Sequence, residues 1–227
     1  MTPNDQNAKQ DPPMKPGVIT LYYHPGACST SNHFALEEAG VEYEAIPVDL
    51  EALDNPITVK MLGLNPMAMT PVLVLADGTV LTQNAATLPF IADLAPERKL
   101  FPQRGTIERV QAESWLSFVA SDLHATLVEV VWVWSQDDDA VKAKSRRFWE
   151  DRVARRLKVL EDRIASRDFI LGDQYSVIDG YALIALNWST PAELSLEAYP
   201  NILAFMARVE ARPVIQHVRR LEGPIIW

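Results

Sequence analysis

The chain has 227 residues, of which 48% are hydrophobic and 22% are charged, so it can bury a core and is not wholly disordered. Its formal net charge of −9 argues against nucleic acid or an anionic membrane as a partner, because both attract basic surfaces. A single cysteine cannot form an internal disulfide, which favours a reducing compartment and predicts a cytoplasmic protein.

Neither the first residues nor the apolar segments predict export or membrane insertion. Residues 1–16 are rich in Asn, Gln, Asp, Lys and Pro, which predicts a disordered leader rather than a secretory signal. The longest apolar run, Leu127 to Trp134, is interrupted by Glu129 and is much shorter than the ~18 residues that a membrane span needs. We therefore expect no membrane partner.

Residues 17–97 alternate between strand-like and helix-like segments. β-Branched or aromatic runs predict strands, periodic apolar positions predict helices, and Asp77-Gly78 predicts a hairpin turn. The predicted strands are Val18 to Tyr23, Tyr43 to Val48, Val72 to Leu75 and Val80-Leu81, and the predicted helices are Ser29 to Ala39, Pro56 to Leu62 and Asn84 to Leu94. A βαβ start, an antiparallel pair and a closing helix predict an α/β domain with a mixed sheet.

Beyond a linker at residues 98–105, residues 106–227 are predicted to form an all-helical domain. Its predicted helices are Thr106 to Trp134, Ala140 to Ala165, Ser176 to Trp188, Tyr199 to Ala211 and Pro213 to Glu222. The Val and Trp content of Leu127 to Trp134 would also suit a strand. Basic and acidic residues interleave along Ala140 to Ala165, which indicates a solvated helix face rather than a basic binding patch.

The one cysteine, Cys28, lies after the turn Pro25-Gly26, between the first predicted strand and the first predicted helix. At a helix N-terminus, unpaired backbone N–H groups and the helix dipole favour the thiolate over the thiol. The position therefore suggests a reactive cysteine. A buried, inert cysteine is the alternative, and the sequence leaves both interpretations open.

Two further loops suggest ligand contacts. Pro66 and Pro71 bracket a loop that leads into a predicted strand. A cis peptide bond before either proline would turn the backbone of the preceding residue outward, where it could pair with an extended ligand. An ordinary trans proline is the simpler interpretation. Gln83-Asn84 opens a predicted helix, where N-terminal N–H groups can hold a carboxylate. A structural helix cap explains Asn84 equally well.

Together these features resemble the glutathione transferase family over about Val18 to Glu222. The segment Tyr-Tyr-His-Pro-Gly-Ala-Cys-Ser, Tyr22 to Ser29, is similar to the cysteine turn of the bacterial beta class. The other segments that carry the resemblance are Asn65 to Pro71, Leu81 to Ala86, Trp115 to His124 and Phe169 to Asp179. The resemblance implies a thioredoxin-like N-terminal domain and an all-α C-terminal domain, with Ser176 and Asp179 forming a helix capping box.

The resemblance implies glutathione as co-substrate, with no metal. It makes Cys28 and His124 catalytic, with His124 titrating near neutrality, and leaves Ser29 as either a donor to a sulfur or a helix cap. The implied glutathione contacts are Cys28, Thr70, Pro71, Gln83, Asn84, Ser121 and His124. Trp132 and Trp134 would line an apolar pocket, or else serve helix packing or dimer contact.

Departures from the family pattern leave the reaction open. Gln83-Asn84 replaces the usual pair, and Leu53 and Ala125 stand where beta-class lysines are expected. We expect a homodimeric glutathione transferase that joins glutathione to a hydrophobic electrophile, or that exchanges thiols with a disulfide. The alternatives are a specialised dehalogenase, isomerase or ether-cleaving enzyme, and a non-catalytic binding protein with the same fold.

Overall fold

The structure is a computed structural model that describes residues 17–135 and 138–223, without the side chains of Trp134, Lys144, Arg146 and Arg147. The predicted leader, residues 1–16, lies outside the described residues, as do residues 224–227 of the predicted helical domain.

A mixed sheet forms the first half of the described chain, as the sequence predicts. Its strands are β1 Ile19–Tyr23, β2 Tyr43–Pro47, β3 Val72–Val74 and β4 Val80–Thr82, in the order β2-β1-β3-β4. β1 runs parallel to β2 and antiparallel to β3, and β3 runs antiparallel to β4, so Leu21 lies between Ala45 and Leu73. Leu21 and Leu73 are fully buried because helices cover the sheet.

The helices of this half are α1 Thr30–Ala39, α2 Pro56–Leu64 and α3 Asn84–Leu94. α1 ends at Gly40, which adopts φ +66° and donates its N–H to the last carbonyls of the helix. α2 begins with Pro56, and the side chain of Asn55 accepts a hydrogen bond from the Ile57 N–H. The thioredoxin-like fold predicted for this half is confirmed.

The second half of the described chain is helical, as predicted. Its helices are α4 Ile107–Ser117, α5 Ala125–Trp134, α6 Asp139–Ile164, α7 Val177–Asn187, α8 Pro200–Glu210 and α9 Pro213–Glu222. A π-helical turn, Phe118–His124, joins α4 to α5. The strand alternative for Leu127 to Trp134 is wrong, since buried Leu127, Val130 and Val133 recur at helical spacing along α5.

The continuous helical run Ile107–Val133 is, by length and composition alone, long and apolar enough to cross a membrane. The sequence estimate, which counted only uninterrupted apolar residues, therefore underestimated this segment. Leu116, Leu123 and Leu127 on this run are buried in the main core together with residues of α6 and α7, which is the usual role of such a helix in a globular fold.

α7 begins with the predicted capping box. Asp179 is fully buried and accepts hydrogen bonds from the Ile170 N–H at 2.8 Å and the Ser176 N–H at 2.7 Å. Burial raises the pKa of the Asp179 carboxyl to about 6, against the lowering effect of these hydrogen bonds. The box ties the preceding loop to α7, the helix that packs against α1 and the π-helical turn.

α1 lies at the centre of the molecule, packed against α3, α7 and α9. Its first turn is polar and yet buried, because Thr30, Asn32 and His33 are each no more than 2% exposed. Buried polar groups require hydrogen-bond partners, and these come from distant parts of the chain.

Glu222, at the end of α9, supplies two of these hydrogen bonds. Its carboxylate lies 2.8 Å from His33 Nδ1 and accepts the Thr30 hydroxyl at 2.7 Å, and the side chains of Glu222 and His33 are each 2% exposed. The Thr30 hydroxyl in turn accepts the Gly26 N–H at 3.1 Å. The end of the helical half is thereby connected to the turn that carries Cys28.

Replacing Glu222 tests this connection. Glu222→Ala leaves the buried Thr30 hydroxyl and His33 imidazole without their acceptor, so we expect it to lower the free energy of unfolding by about 3 kcal/mol or more. The matched control is Glu210→Ala, which removes a half-exposed partner of Arg219 and should cost about 1 kcal/mol or less. Urea unfolding followed by tryptophan fluorescence measures both, and equal losses would contradict the assignment.

Candidate functional site

A cavity of about 300 Å³ lies between the sheet half and the helical half of the chain. It is bounded by the turn after β1, the loop before β3, the start of α3 and the face of the π-helical turn and α5. Its lining residues are Cys28, Asn65, Met69, Thr70, Pro71, Gln83, Asn84, Ala85, Ala120, His124, Ala125, Val128, Glu129 and Tyr181.

Cys28 is partly buried in this cavity, in the turn immediately before the N-cap residue of α1. Its thiol donates a hydrogen bond to the Thr70 carbonyl at 3.3 Å. Burial raises the pKa of the thiol to about 11, although the N–H groups of Cys28 and Ser29 and the Asn84 amide act to lower it. Of the two interpretations left open by the sequence, the raised pKa favours the protonated thiol in the ligand-free protein, because desolvation outweighs the helix terminus.

Ser29 is fully buried behind Cys28 and does not line the cavity. Its hydroxyl accepts hydrogen bonds from the His24 N–H at 3.0 Å and the Thr70 hydroxyl at 3.1 Å. It makes no side-chain cap bond to α1, so the cap alternative is wrong, and its hydroxyl donates to the His24 carbonyl at 3.3 Å rather than to the Cys28 sulfur. Instead it fastens the cysteine turn to the loop before β3.

Thr70 and Pro71 form the opposite wall of the cavity, and the bond between them is cis. The simpler trans interpretation is therefore wrong at Pro71. The Asn65 side chain donates to the Met69 carbonyl at 2.8 Å and accepts from the Met67 N–H at 3.2 Å, which holds this loop in shape. Among the described residues the Thr70 backbone N–H has no hydrogen-bond partner. It is available to a ligand in the cavity.

Gln83 and Asn84 stand at the start of α3. Gln83 is exposed and adopts φ +71°, a left-handed conformation uncommon outside glycine, which turns the chain into the helix. The Asn84 and Ala85 N–H groups belong to the first turn of α3 and have no intrahelical acceptor. These two N–H groups can receive a carboxylate beside Cys28.

The Asn84 side chain is only 4% exposed and is already engaged. Its amide donates to the Cys28 carbonyl at 3.0 Å and its oxygen accepts the Asn32 amide. It also lies close enough to the Cys28 thiol and the Tyr181 hydroxyl to influence the pKa of each. The Asn84 side chain thus holds the cysteine turn in place. It makes no cap hydrogen bond to α3, so it does not act as a helix cap.

His124, the last residue of the π-helical turn, lies on the helical side of the cavity. Its Nδ1 is 3.2 Å from the Tyr181 hydroxyl, and its ring meets Trp188 edge-on at 6.2 Å. Burial lowers the pKa of His124 to about 4, so the imidazole is neutral at pH 7. The expected titration near neutrality is therefore wrong.

Three predicted site residues lie away from the cavity or outside the description. Ser121 is exposed, and its hydroxyl donates to the Ser117 carbonyl at 2.8 Å. Trp132 is 58% exposed and is not among the lining residues. The Trp134 side chain lies outside the described part of the structure. Of the two positions lacking expected lysines, Ala125 lines the cavity and Leu53 is 62% exposed.

Several lining residues were missed by the sequence analysis. Ala120 and Val128 lie four residues before and after His124, so the helical period on its own could have found them. Glu129 follows Ala125 by the same interval. No sequence pattern could have identified Tyr181 as a lining residue, because an aromatic residue in the apolar helix α7 indicates ordinary core packing. The described residues contain no cluster of three or more His, Cys, Asp or Glu side chains that could hold a metal ion.

The low pKa of His124 has a measurable consequence for stability. Between pH 6.5 and about pH 4 the unfolded chain binds a proton at this histidine and the folded chain does not, so stability falls as the pH falls through this window. We expect wild-type protein to lose about 3 kcal/mol more unfolding free energy between pH 7 and pH 4 than His124→Asn does. Urea unfolding at several pH values measures this, with exposed His217→Asn as control. Parallel pH profiles for wild type and His124→Asn would contradict it.

The chain matches two family models. That of the glutathione S-transferase N-terminal domain covers residues 26–94, and that of the C-terminal domain covers residues 121–218. The glutathione S-transferase GstA of Escherichia coli O157:H7 is 29% identical over 207 residues, which make up 90% of this chain and 99% of that protein.

Solved structures agree with these matches. BphK, a bacterial glutathione S-transferase solved as a ternary complex, is 34% identical with a TM-score of 0.83, over 90% of this chain and 100% of that one. A sphingomonad glutathione S-transferase complexed with glutathione is 33% identical with a TM-score of 0.80, over 90% of this chain and 98% of that one. Since the family models and the solved structures agree in sequence and fold along most of its length, the chain belongs to the glutathione S-transferase family.

Proposed function

We propose that this protein is a glutathione transferase in which the protonated Cys28 thiol binds the sulfur of glutathione while that sulfur attacks an electrophile. The observation that carries the proposal is the position of Cys28 in the cavity, between the unpaired Thr70 N–H and the free N–H groups that begin α3. One thiol donor between two sets of backbone donors suits a short peptide that carries a thiol and a carboxylate.

In this proposal the glutathione backbone pairs with the cis-proline loop. The cysteinyl part of glutathione would accept the Thr70 N–H and donate to the Thr70 carbonyl, the atom that holds the Cys28 thiol in the ligand-free protein. Cys28 is then released to donate to the glutathione sulfur. Pro71 would complete the wall of this subsite.

The γ-glutamyl end would lie at the start of α3. Its carboxylate would accept the Asn84 and Ala85 N–H groups, and its ammonium would meet the carbonyl oxygen of the exposed Gln83 side chain. The Asn84 side chain contributes indirectly in this arrangement, because its amide is committed to the Cys28 carbonyl and to Asn32. Ser121, which is exposed, has no part in it within one chain.

The high pKa of Cys28 favours conjugation over thiol-disulfide exchange. A thiol that stays protonated at pH 7 is a good donor to a neighbouring thiolate and a poor nucleophile. The glutathione thiol would lose its proton to water at the open side of the cavity, and the thiolate would be stabilised by the Cys28 S–H. Neutral His124 and the protonated Tyr181 phenol, whose pKa burial raises, would supply polar contacts without adding charge.

Thiol-disulfide exchange is the second candidate, because a cysteine sulfur does line the cavity. Exchange needs Cys28 as the attacking thiolate, so it requires glutathione binding to lower the pKa of Cys28 substantially. Conjugation therefore needs a hydrogen-bond donor at position 28, whereas exchange needs a sulfur nucleophile there.

Substitutions at Cys28 separate the two candidates. Serine keeps a hydrogen-bond donor, so Cys28→Ser should retain kcat/KM for conjugation of 1-chloro-2,4-dinitrobenzene to within about tenfold. Cys28→Ala removes the donor and should lower kcat/KM by about ten- to a hundredfold. Exchange with a mixed disulfide of glutathione should be lost in both variants, since neither carries a sulfur.

The outcomes are distinct. Equal loss of conjugation in both variants would contradict the donor role and favour exchange or covalent chemistry. If neither the wild-type protein nor the variants catalyse conjugation, and calorimetry detects no binding of S-methylglutathione, the proposed transferase activity is contradicted. That result would favour a non-catalytic binding protein with the same fold.

The proposal includes a homodimer in the cytoplasm with a detoxifying role. Exposed apolar side chains support association, since Ile57, Val59, Met67 and Met69 lie on neighbouring segments around α2 and the cis-proline loop. Exposed apolar side chains that together form a patch mark an interaction site. A specialised enzyme acting on one electrophile remains within the same proposal, because the helical side of the cavity varies without changing the fold.

A further inference from the structure

The cavity that contains Cys28 has an unusual balance of charge. Its lining contains no lysine or arginine, and Glu129 is the one acidic residue among the fourteen that the described structure places there. His124 is neutral at pH 7 because its pKa is lowered to about 4. At neutral pH the lining therefore carries the single negative charge of the Glu129 carboxylate.

Glu129 is positioned to act on whatever occupies the helical side of the cavity. It is exposed on α5, one helical turn after Ala125 and next to Val128, both of which line the cavity. None of the ion pairs between described residues includes its carboxylate. A carboxylate without such a partner acts on a ligand through its own charge, reduced by solvent and salt, whereas a paired one would be largely neutralised.

We propose that Glu129 makes the second-substrate side of the cavity select by charge, favouring cationic electrophiles over neutral ones and disfavouring anionic ones. The inference rests on the proposed transferase function and adds to it the chemical class of the second substrate. It also agrees with the formal charge of −9 on the whole chain, which repels anions at longer range.

The size of the effect follows from the dimensions of the cavity. A sphere of about 300 Å³ is about 8 Å across. A unit charge at about that distance shifts a binding or rate constant by about two- to tenfold per unit of ligand charge, for effective dielectric constants between about 80 and about 30. Comparing a cation with an anion doubles the difference in charge. Glu129 should then change the ratio of the two rates by about four- to a hundredfold.

The first experiment measures the potential at Cys28 directly and needs no catalysis. Cys28 is the only cysteine, so its modification by two methanethiosulfonates of opposite charge, the trimethylammonioethyl and the sulfonatoethyl reagents, is unambiguous by intact mass. Both reagents react with the same thiolate, so the ratio of their rates cancels the pKa of Cys28. Division by the ratio for 2-mercaptoethanol, an uncharged small thiol, removes their intrinsic reactivities.

We expect the normalised cation-to-anion ratio of wild-type protein to exceed one clearly. It should fall by at least fourfold in Glu129→Gln and further in Glu129→Lys, and it should decrease with added salt. The matched control is Glu108→Gln, which makes the same change of net charge at an exposed position on the same helical run, about 30 Å away. A ratio that changes equally in Glu129→Gln and Glu108→Gln would overturn the proposal.

The second experiment uses turnover with glutathione and separates this inference from the proposed function. The neutral substrate is 1-chloro-2,4-dinitrobenzene, and the anionic one is 4-chloro-3,5-dinitrobenzoate, from which the thiolate likewise displaces chloride. Glu129→Gln should raise kcat/KM for the anion by about two- to tenfold relative to the neutral substrate. If the neutral substrate is turned over but the anion-to-neutral ratio of kcat/KM is the same in wild-type protein and Glu129→Gln, the proposal of charge selection alone is overturned. Absence of neutral turnover, with the methanethiosulfonate ratio as expected, would overturn the proposed function alone.

Discussion

The burial of a polar helix turn is the constraint on which the rest of the structure depends. α1 is enclosed by α3, α7 and α9, so the side chains of Thr30, Asn32 and His33 must find partners inside the protein. They find them on Asn84, at the start of α3, and on Glu222, at the end of α9. The two Glu222 bonds thus join the sheet half to the helical half, and their loss would leave buried groups unpaired. The position of Cys28 follows from these bonds.

The same burial determines the chemistry of the cavity. Desolvation keeps Cys28 as a thiol and His124 as a neutral imidazole, although a helix terminus beside a cysteine and a histidine near a thiol both favour charged forms in water. An uncharged donor beside two sets of backbone N–H groups is preorganised for a ligand that brings its own negative charge, such as a thiolate peptide. With Glu129 as the charged side chain of the described lining, the cavity depends on the ligand and on backbone dipoles for its electrostatics.

The sequence predicted the fold well because each element has a local determinant. The hairpin Asp77-Gly78, the glycine that ends α1 and the capping box before α7 all act within a few residues. Residue charge states could not be predicted, since desolvation depends on which distant segments cover a side chain. The hydrogen bond between Asn84 and Asn32 and the position of Tyr181 in the cavity likewise depend on tertiary packing. The π-helical turn that places His124 likewise has no local sequence pattern.

The most direct test of this account is the pH dependence of Cys28 alkylation by a neutral reagent, with and without S-methylglutathione. The account predicts that the rate in the ligand-free protein keeps rising beyond about pH 9 with no plateau, as a thiol of pKa near 11 requires. It also predicts that S-methylglutathione, which fills the site without offering a thiol, protects Cys28 from the reagent. A plateau below about pH 8, or full reactivity in the presence of S-methylglutathione, would contradict it.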